Sequence, residues 1–423
     1  MTGPAAFPAL RHPNFRYFII GQFVSLCGTW MQTVALGWLV LTLTDSPFAV
    51  GLVSALGSLP VLLFTLQGGA MADRVNRHKA LTRLQMLMCL EATTLTIVAV
   101  SGHATLAWII ALALVAGLLS AFEIPVRQSF LMDLVGKEDL MNAIAFNSMA
   151  FNVSRVVGPA FAGALTAIAG PAFCFAVNAV SYLAVIITLL RIKPDPALIS
   201  PRRHPPPLRE AVGYILAPGW PRTLVTLTVV YTVFAVSFLT VLPVYARDTL
   251  GTGATGFGGL TSAFGIGAAG GALLLAAFGA RFRRGEVALR AGAALGTILL
   301  LTALAPPYPV AFLFMAIAGC ASAVTAITAN TLLQTESPEH LRGRVIGFYS
   351  FIVVGMAPFG SLQAGWLSQH LGVRAEAAIG GTLCLGTALW LWERAKPWAT
   401  PPAAERRSGD TDPGYRWGER RKQ

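Results

Sequence analysis

Acids and bases are scarce in this chain, so the few it carries stand out. Charged residues make up 12% of its 423 positions and hydrophobic ones 55%, about half the charge usual in a soluble protein. The densest cluster is the stretch Gly69–Lys79, in which five of eleven residues (Asp73, Arg74, Arg77, His78 and Lys79) are ionisable. Long apolar runs flank it on both sides, so it reads as a tight aqueous turn between two membrane helices. Gly69 lies one helical turn before Asp73 and would let another helix approach closely. A charged hairpin of this kind serves either as a fixed topological anchor or as a moving part. In the second role Asp73 suits the positive end of a helix elsewhere in the fold. Arg77 then needs an acid nearby, and Glu123, about one turn inside the boundary of the fourth apolar run, is the expected partner.

Glu123 has other readings. It stands four residues before Arg127, so the two share a helix face and can pair. A carboxylate at such a depth is also a candidate proton carrier. Arg155 falls about 18–20 Å into the fifth apolar run, near mid-membrane. A charge there is expensive and normally faces a cavity or a partner. It would contact an anionic or carbonyl-rich substrate, or else organise the packing of Asn147 and Asn152. Gly158-Pro159 follows within a turn and would loosen the helix, freeing a backbone carbonyl. Gln22 and Gln32 are polar residues of the first run. Glu91, deep in the third run, suits a structural hydrogen bond ahead of proton binding, and Asp45, beside Pro47, a turn.

These residues require elements to hold them. A spanning helix takes about 20 apolar residues, and twelve runs qualify, with cores near 17–43, 48–71, 81–101, 105–126, 142–168, 172–190, 223–245, 256–280, 287–305, 309–332, 345–369 and 375–392. Basic residues cluster in alternate loops, around Arg11, Arg74, Arg127, Arg191, Arg281 and Arg342, while the opposite loops hold only Arg247 and Arg374. By the positive-inside rule both termini are cytoplasmic. The chain divides into an N-terminal segment (1–16), a six-helix bundle (17–191), a linker (192–222), a second bundle (223–393) and a polar tail (394–423) that reads as disordered. Pro205-Pro206-Pro207 interrupts the linker, and Leu208–Leu216 suits a short amphipathic helix on the inner surface. The halves repeat weakly: Gln128-Ser129-Phe130, Gly158-Pro159 and Gly163 correspond to Asn330-Thr331-Leu332, Pro358, Gly360 and Gly365. The expected fold is therefore all-α, with twelve transmembrane helices in two pseudo-symmetric six-helix bundles.

At this point the chain resembles the major facilitator superfamily over about residues 10–395, and more narrowly its bacterial branch of enterobactin and drug exporters. The resemblance is carried by Phe7-Pro8-Ala9-Leu10-Arg11-His12-Pro13, by Gly69–Lys79 and by Pro125-Val126-Arg127-Gln128. Asn152-Val153-Ser154-Arg155 with Gly158-Pro159, then Pro338–Val345, then Pro358-Phe359-Gly360-Ser361 complete it. It implies that Gly69, Asp73, Arg74 and Arg77 belong to a cytoplasmic gate that breaks and reforms with each cycle. It also implies that helices one, four, seven and ten line the cavity, which makes Gln22 and Gln32 of helix one candidates for its wall, and that Gly158-Pro159 is a shortened antiporter element. The chain departs from the family where Asn76 replaces a glycine, a residue that tolerates left-handed turns. The matching loop at Arg281-Phe282-Arg283-Arg284 lacks an acid where Asp73 would fall, so the gate is expected to be asymmetric.

Other functions are poorly served. The net charge of +12 is spread in short clusters between apolar runs, which argues against nucleic acid. Five cysteines, widely spaced and without C-x-x-C, support neither a disulfide framework nor a metal site. Gly265-Ile266-Gly267-Ala268-Ala269-Gly270 spells a dinucleotide fingerprint inside a membrane run, where close helix packing explains it better. No Walker loop, H-E-x-x-H or G-x-S-x-G is present, so neither an enzyme nor an ATP-driven pump is expected, and no cofactor is implied. The expected function is export of a small drug-like or siderophore-like molecule across the bacterial inner membrane. Protons and lipid would be its other partners, acting on a monomer by proton antiport. A metabolite facilitator, an uptake symporter, or a sensor that kept the fold but lost transport are the alternatives.

Overall fold

Turn chemistry cuts the apolar sequence into helices. Asp45 adopts a left-handed conformation (φ 48°) that ends the first helix. Ser46 then caps the second by accepting a hydrogen bond from the Ala49 amide at 3.2 Å, with Pro47 in the first turn. Gly170 and Gly372, both at positive φ, each close one helix immediately before the next begins, at matching points of the two halves.

The computed structural model describes residues 7–192, 208–217, 219–279, 284–338 and 340–395. The proline-rich centre of the linker, the loop at Arg281 and Arg283, Glu339 and the tail beyond Ala395 lie outside the described residues. The N-terminal half consists of α1 (Pro13–Thr44), α2 (Pro47–Ala72), α3 (Arg77–Val100), α4 (Leu106–Val135), α5 (Leu140–Ala169) and α6 (Pro171–Arg191). The second half consists of α7 (Trp220–Thr249), α8 (Gly253–Phe278), α9 (Arg284–Ala303), α10 (Tyr308–Glu336), α11 (Arg342–Leu371) and α12 (Val373–Ala395). The first eleven are long and apolar enough to cross a membrane. The last has 23 residues, its apolar character diluted by Arg374, Glu376, Glu393 and Arg394 near its ends.

Packing within the halves is matched: α2 lies on α4 as α8 lies on α10, and α3 on α6 as α9 on α12. The halves meet along two equivalent crossings, α5 on α8 and α2 on α11. Both rest on glycines that the internal repeat had paired. A Cβ on Gly163 would meet the Cα of Gly258 at 2.8 Å, and one on Gly365 would meet the Cα of Gly51 at 2.8 Å. Backbones approach this closely only without side chains.

An even number of spans puts the two ends of the chain on one face, called here the termini face; the other is the far face. One apolar core spans both halves on the far side, joining Val34, Leu41 and Phe175 to Phe238, Phe257 and Leu299. Toward the termini face the core splits. One part, around Phe18, Phe130 and Leu189, belongs wholly to the N-terminal half. The other, around Leu224, Leu333 and Tyr349, belongs to the second half.

Several expectations change. The helix Leu208–Leu216 forms, but Ile215 is fully buried in the second half's core, so the helix is docked as well as superficial. Pro8–Arg11 makes a short 3-10 turn clasped to α5: the Ala9 amide donates to Asn142 Oδ1 at 3.0 Å, and His12 meets Asp139 at 2.8 Å. Asn76 is an extended N-cap (φ −69°) accepting from the Lys79 amide at 3.0 Å, and not a left-handed turn residue. Pro159 sits inside an unbroken α5. Pro358 does mark a break, where α11 divides between Gly355 and Ala357. In α7 two π-helical turns, Tyr231–Val236 and Tyr245–Thr249, are features that apolar length alone does not signal.

Candidate functional site

At the termini face the end of α2 turns directly into α3. Arg77, the first residue of α3, points its guanidinium across this turn, with Nη1 at 2.7 Å from Asp133 Oδ1 on α4. Its Nη2 lies 3.9 Å from Asp73, and its Nε donates to the Ala72 carbonyl at 3.2 Å. One side chain thus ties the ends of three helices. The acid is Asp133 and not Glu123, which corrects the sequence expectation. Apolar run length ends α4 near residue 126, yet the helix continues to Val135. Ten residues separate the two acids on one helix, about 15 Å along its axis, so Glu123 lies too deep. Asp73 is 55% exposed in its side chain, and Arg74 is exposed at the tip of the hairpin. Gly69 has no atom within 4 Å of its would-be Cβ; the close approach falls one residue earlier, where Gly68 packs on Ala121 and Phe122 of α4.

Deeper in the N-terminal half, two polar networks are enclosed by apolar helices. Glu123 accepts from Arg127 Nε at 2.8 Å and from Gln85 Nε2 at 3.2 Å, and Arg127 continues to Asn147 at 3.3 Å. The i,i+4 geometry of Glu123 and Arg127 is therefore realised, with both side chains about nine-tenths buried. In the second network Gln32 donates to the Glu91 carboxylate at 3.3 Å and accepts from Asn178 at 2.7 Å. Gln32 thus bonds inward to α3 and α6, and Gln22 is 2% exposed, so neither glutamine forms the open cavity wall that its position on α1 suggested. Asn152 bonds to the Ser148 carbonyl of its own helix at 2.8 Å.

Arg155 sits halfway along α5, where the halves touch. The Val156 carbonyl accepts a hydrogen bond from Ser262 of α8 at 2.9 Å, and a Cβ on Gly265 would lie 2.9 Å from the Arg155 carbonyl. Its guanidinium lies 5.0 Å from the Phe264 ring centre on α8 and 5.8 Å from that of Trp30 on α1. Tyr231 of α7 is within electrostatic reach. Among the described residues no carboxylate pairs with it. Two cation–π contacts contribute about 0.5–2 kcal/mol each, against roughly 2.5–3.5 kcal/mol for an arginine at mid-membrane. The rings leave little margin. Gly158, one turn on, presses against Trp30 Cβ and the Cys27 carbonyl, which fixes α5 to α1.

The sequence reading missed the far face. Arg247 at the end of α7 pairs with Asp45 at 2.6 Å, across the halves, and with its neighbour Asp248 at 2.5 Å. Ser46 donates to Gln369 at 2.8 Å, and Ser361 meets both Ser54 and Thr240 at 3.1 Å. Trp38 stacks on Phe257 with ring centres 6.4 Å apart. A lone turn aspartate and a lone arginine 202 positions apart carry no local signal that they will meet. At the termini face the pairs His12–Asp139, Arg77–Asp73, Arg77–Asp133 and Arg290–Glu286 each lie within one half.

Two pseudo-symmetric six-helix bundles, sealed together at one face and with a mid-membrane arginine between them, define a transporter of the major facilitator type. The chain belongs to the family of transmembrane secretion effectors within that superfamily, whose pattern it matches over residues 4–406. It is 26% identical to the staphyloferrin A transporter of Staphylococcus aureus, over 88% of this chain and 94% of that protein. It is 28% identical to the multidrug efflux pump Tap of Mycolicibacterium fortuitum (82% and 87% covered) and 27% identical to the enterobactin exporter EntS of Escherichia coli (90% and 92% covered). Among solved structures, a bacterial homologue of the iron transporter ferroportin in its inward-facing state shares the fold, with a TM-score of 0.70 at 15% identity, covering 92% of this chain and 99% of that one.

Proposed function

We propose that this chain exports a small organic molecule, drug-like or siderophore-like, from a bacterial cell by alternating access, in exchange for protons. The observation that carries the reading is the contrast between the faces. Hydrogen bonds, an ion pair and a shared apolar core join the halves at the far face, while the termini face holds two separate cores. That is the arrangement of a transporter closed on one side and parted on the other. The basic loops support a cytoplasmic parted side, and the bacterial relatives support an inner-membrane location. The names of the relatives, a siderophore transporter, a siderophore exporter and a multidrug pump, support cargo of this size and direction.

In the opposite state, the open space over Gly69 and the exposed carboxylate of Asp73 would receive the second half, with Arg77 and Asp133 holding the hairpin in shape. Glu123, between Arg127 and Gln85, is the group to which proton exchange is assigned, since the membrane potential supplies about 2.3 kcal/mol per charge per 100 mV to such a step. The protein acts as a monomer in lipid. The test is intravesicular pH in proteoliposomes on addition of candidate cargo, for wild type and Glu123→Gln. Cargo-driven proton movement that vanishes in the variant, with cargo binding retained, is the expected result. Cargo flux with no proton movement would make the protein a facilitator.

A further inference from the structure

We infer that Arg155 is the anchor of a binding site whose ligand is a flat, conjugated anion: a ring system bearing a carboxylate or another two-oxygen acid group. Calling that ligand the cargo rests on the export reading above; the site itself rests on geometry. The arginine lies over two rings, Phe264 at 5.0 Å and Trp30 at 5.8 Å, and Trp30 is itself braced edge-on by Phe151 at 5.8 Å. Ring faces attract the charge but offer no acceptor oxygen, so they do not substitute for the two oxygens that a guanidinium's paired N–H groups can grip at once. Arg155 is half-buried, so its side chain keeps some contact with accessible space.

Among the described residues no carboxylate pairs with Arg155. Three acids of the same half are engaged elsewhere: Glu91 by Gln32, Glu123 by Arg127 and Gln85, Asp133 by Arg77. A ligand that reaches Arg155 therefore meets a positive group flanked by aromatic surface. An anion satisfies the first and a planar ring the second. A neutral ring forgoes the paired hydrogen bonds, and a cationic one is repelled. The site is also built from both halves, Trp30 and Arg155 on one and Phe264 and Tyr231 on the other, so its occupant bears on how they sit together.

The test uses the purified full-length chain in nanodiscs and three probes of similar size: 2-naphthoate (flat, anionic), 2-naphthylmethanol (flat, neutral) and decalin-2-carboxylate (anionic, not flat). Binding is read by saturation-transfer difference NMR and equilibrium dialysis. Naphthoate should bind roughly tenfold more tightly than either control, a margin typical of one charge-assisted bidentate contact. Arg155→Gln should erase that preference, Arg155→Lys should restore part of it, and Phe264→Leu should weaken naphthoate by about threefold through loss of ring contact. Equal binding of acid and alcohol, or naphthoate affinity unchanged in Arg155→Gln, would overturn the inference. Should Arg155→Gln not fold, the probe ratios on wild type and Phe264→Leu still decide. Ethidium efflux from proteoliposomes, run alongside, separates the two readings. Ethidium export without naphthoate preference sinks this site and leaves export standing. Arg155-dependent naphthoate binding with no flux of either compound keeps the site and sinks export.

Discussion

Arg77 illustrates how a single contact organises the termini face. Its pair with Asp133 is mostly buried, with 14% and 9% of the two side chains exposed. Exposed pairs contribute about 0–1 kcal/mol, and breaking a fully buried pair costs about 3–5; this one should fall between, near 2. Asp133→Asn should therefore lower the thermal midpoint of the purified protein, and adding Arg77→Gln should recover part of the loss because no bare charge then remains. A midpoint unmoved by Asp133→Asn would remove Asp133 from the hairpin. The identity of Arg77 as a tethering residue was legible in the sequence, since a basic residue in so short a turn must find an acid. Its partner was not. Hydropathy reports where the membrane ends, whereas α4 runs on past that point and carries Asp133 with it.

Among the elements, the crossings of α5 on α8 and α2 on α11 decide how closely the halves can meet. Gly163 and Gly365 were visible beforehand as repeat equivalents, because they recur at matching places in each half. What they touch, Gly258 and Gly51, was not visible, for glycine leaves no pattern that names its partner. Gly163→Val would place methyl groups where the Gly258 Cα already stands within 2.8 Å of a Cβ. The far face should then part, and a cysteine placed at Ser46 should react with a water-soluble maleimide several times faster than in the unmutated background, since side chains at an opened crossing lose their cover. Unchanged labelling would mean that the crossing is not what closes this face. The two π-helical turns of α7 lie beyond sequence reading for a different reason: the first packs on α11 and α12 and the second on α8, and apolar periodicity is the same with or without them.

At the scale of the whole molecule, the far face is where, among the described residues, both halves share a core, so joining them covalently there should hold the protein in this state. Ser46 and Gln369 are in hydrogen-bond contact at 2.8 Å. The double variant Ser46→Cys/Gln369→Cys, made in a background whose five native cysteines are replaced, should cross-link on mild oxidation. Transport in proteoliposomes should stop and should return with dithiothreitol; continued transport by the cross-linked protein would rule out rocking of one half against the other. The twelve spans, their repeat and the division into halves were legible because membrane burial forces long apolar runs. The seal was not, because its members, Asp45 with Arg247 and Ser46 with Gln369, are polar residues far apart in sequence and unremarkable alone.

The clasp between Pro8–Arg11 and α5 bears on how the chain is made. Ala9 and His12 leave the ribosome early, yet their partners Asn142 and Asp139 follow 133 and 127 residues later. At bacterial synthesis rates of about 5–20 residues per second, that is a delay on the order of ten seconds. During it the opening segment has nothing to hold, and four helices must enter the membrane before the fifth brings its anchor into place. The clasp therefore closes late, as a latch on a bundle that is already nearly complete.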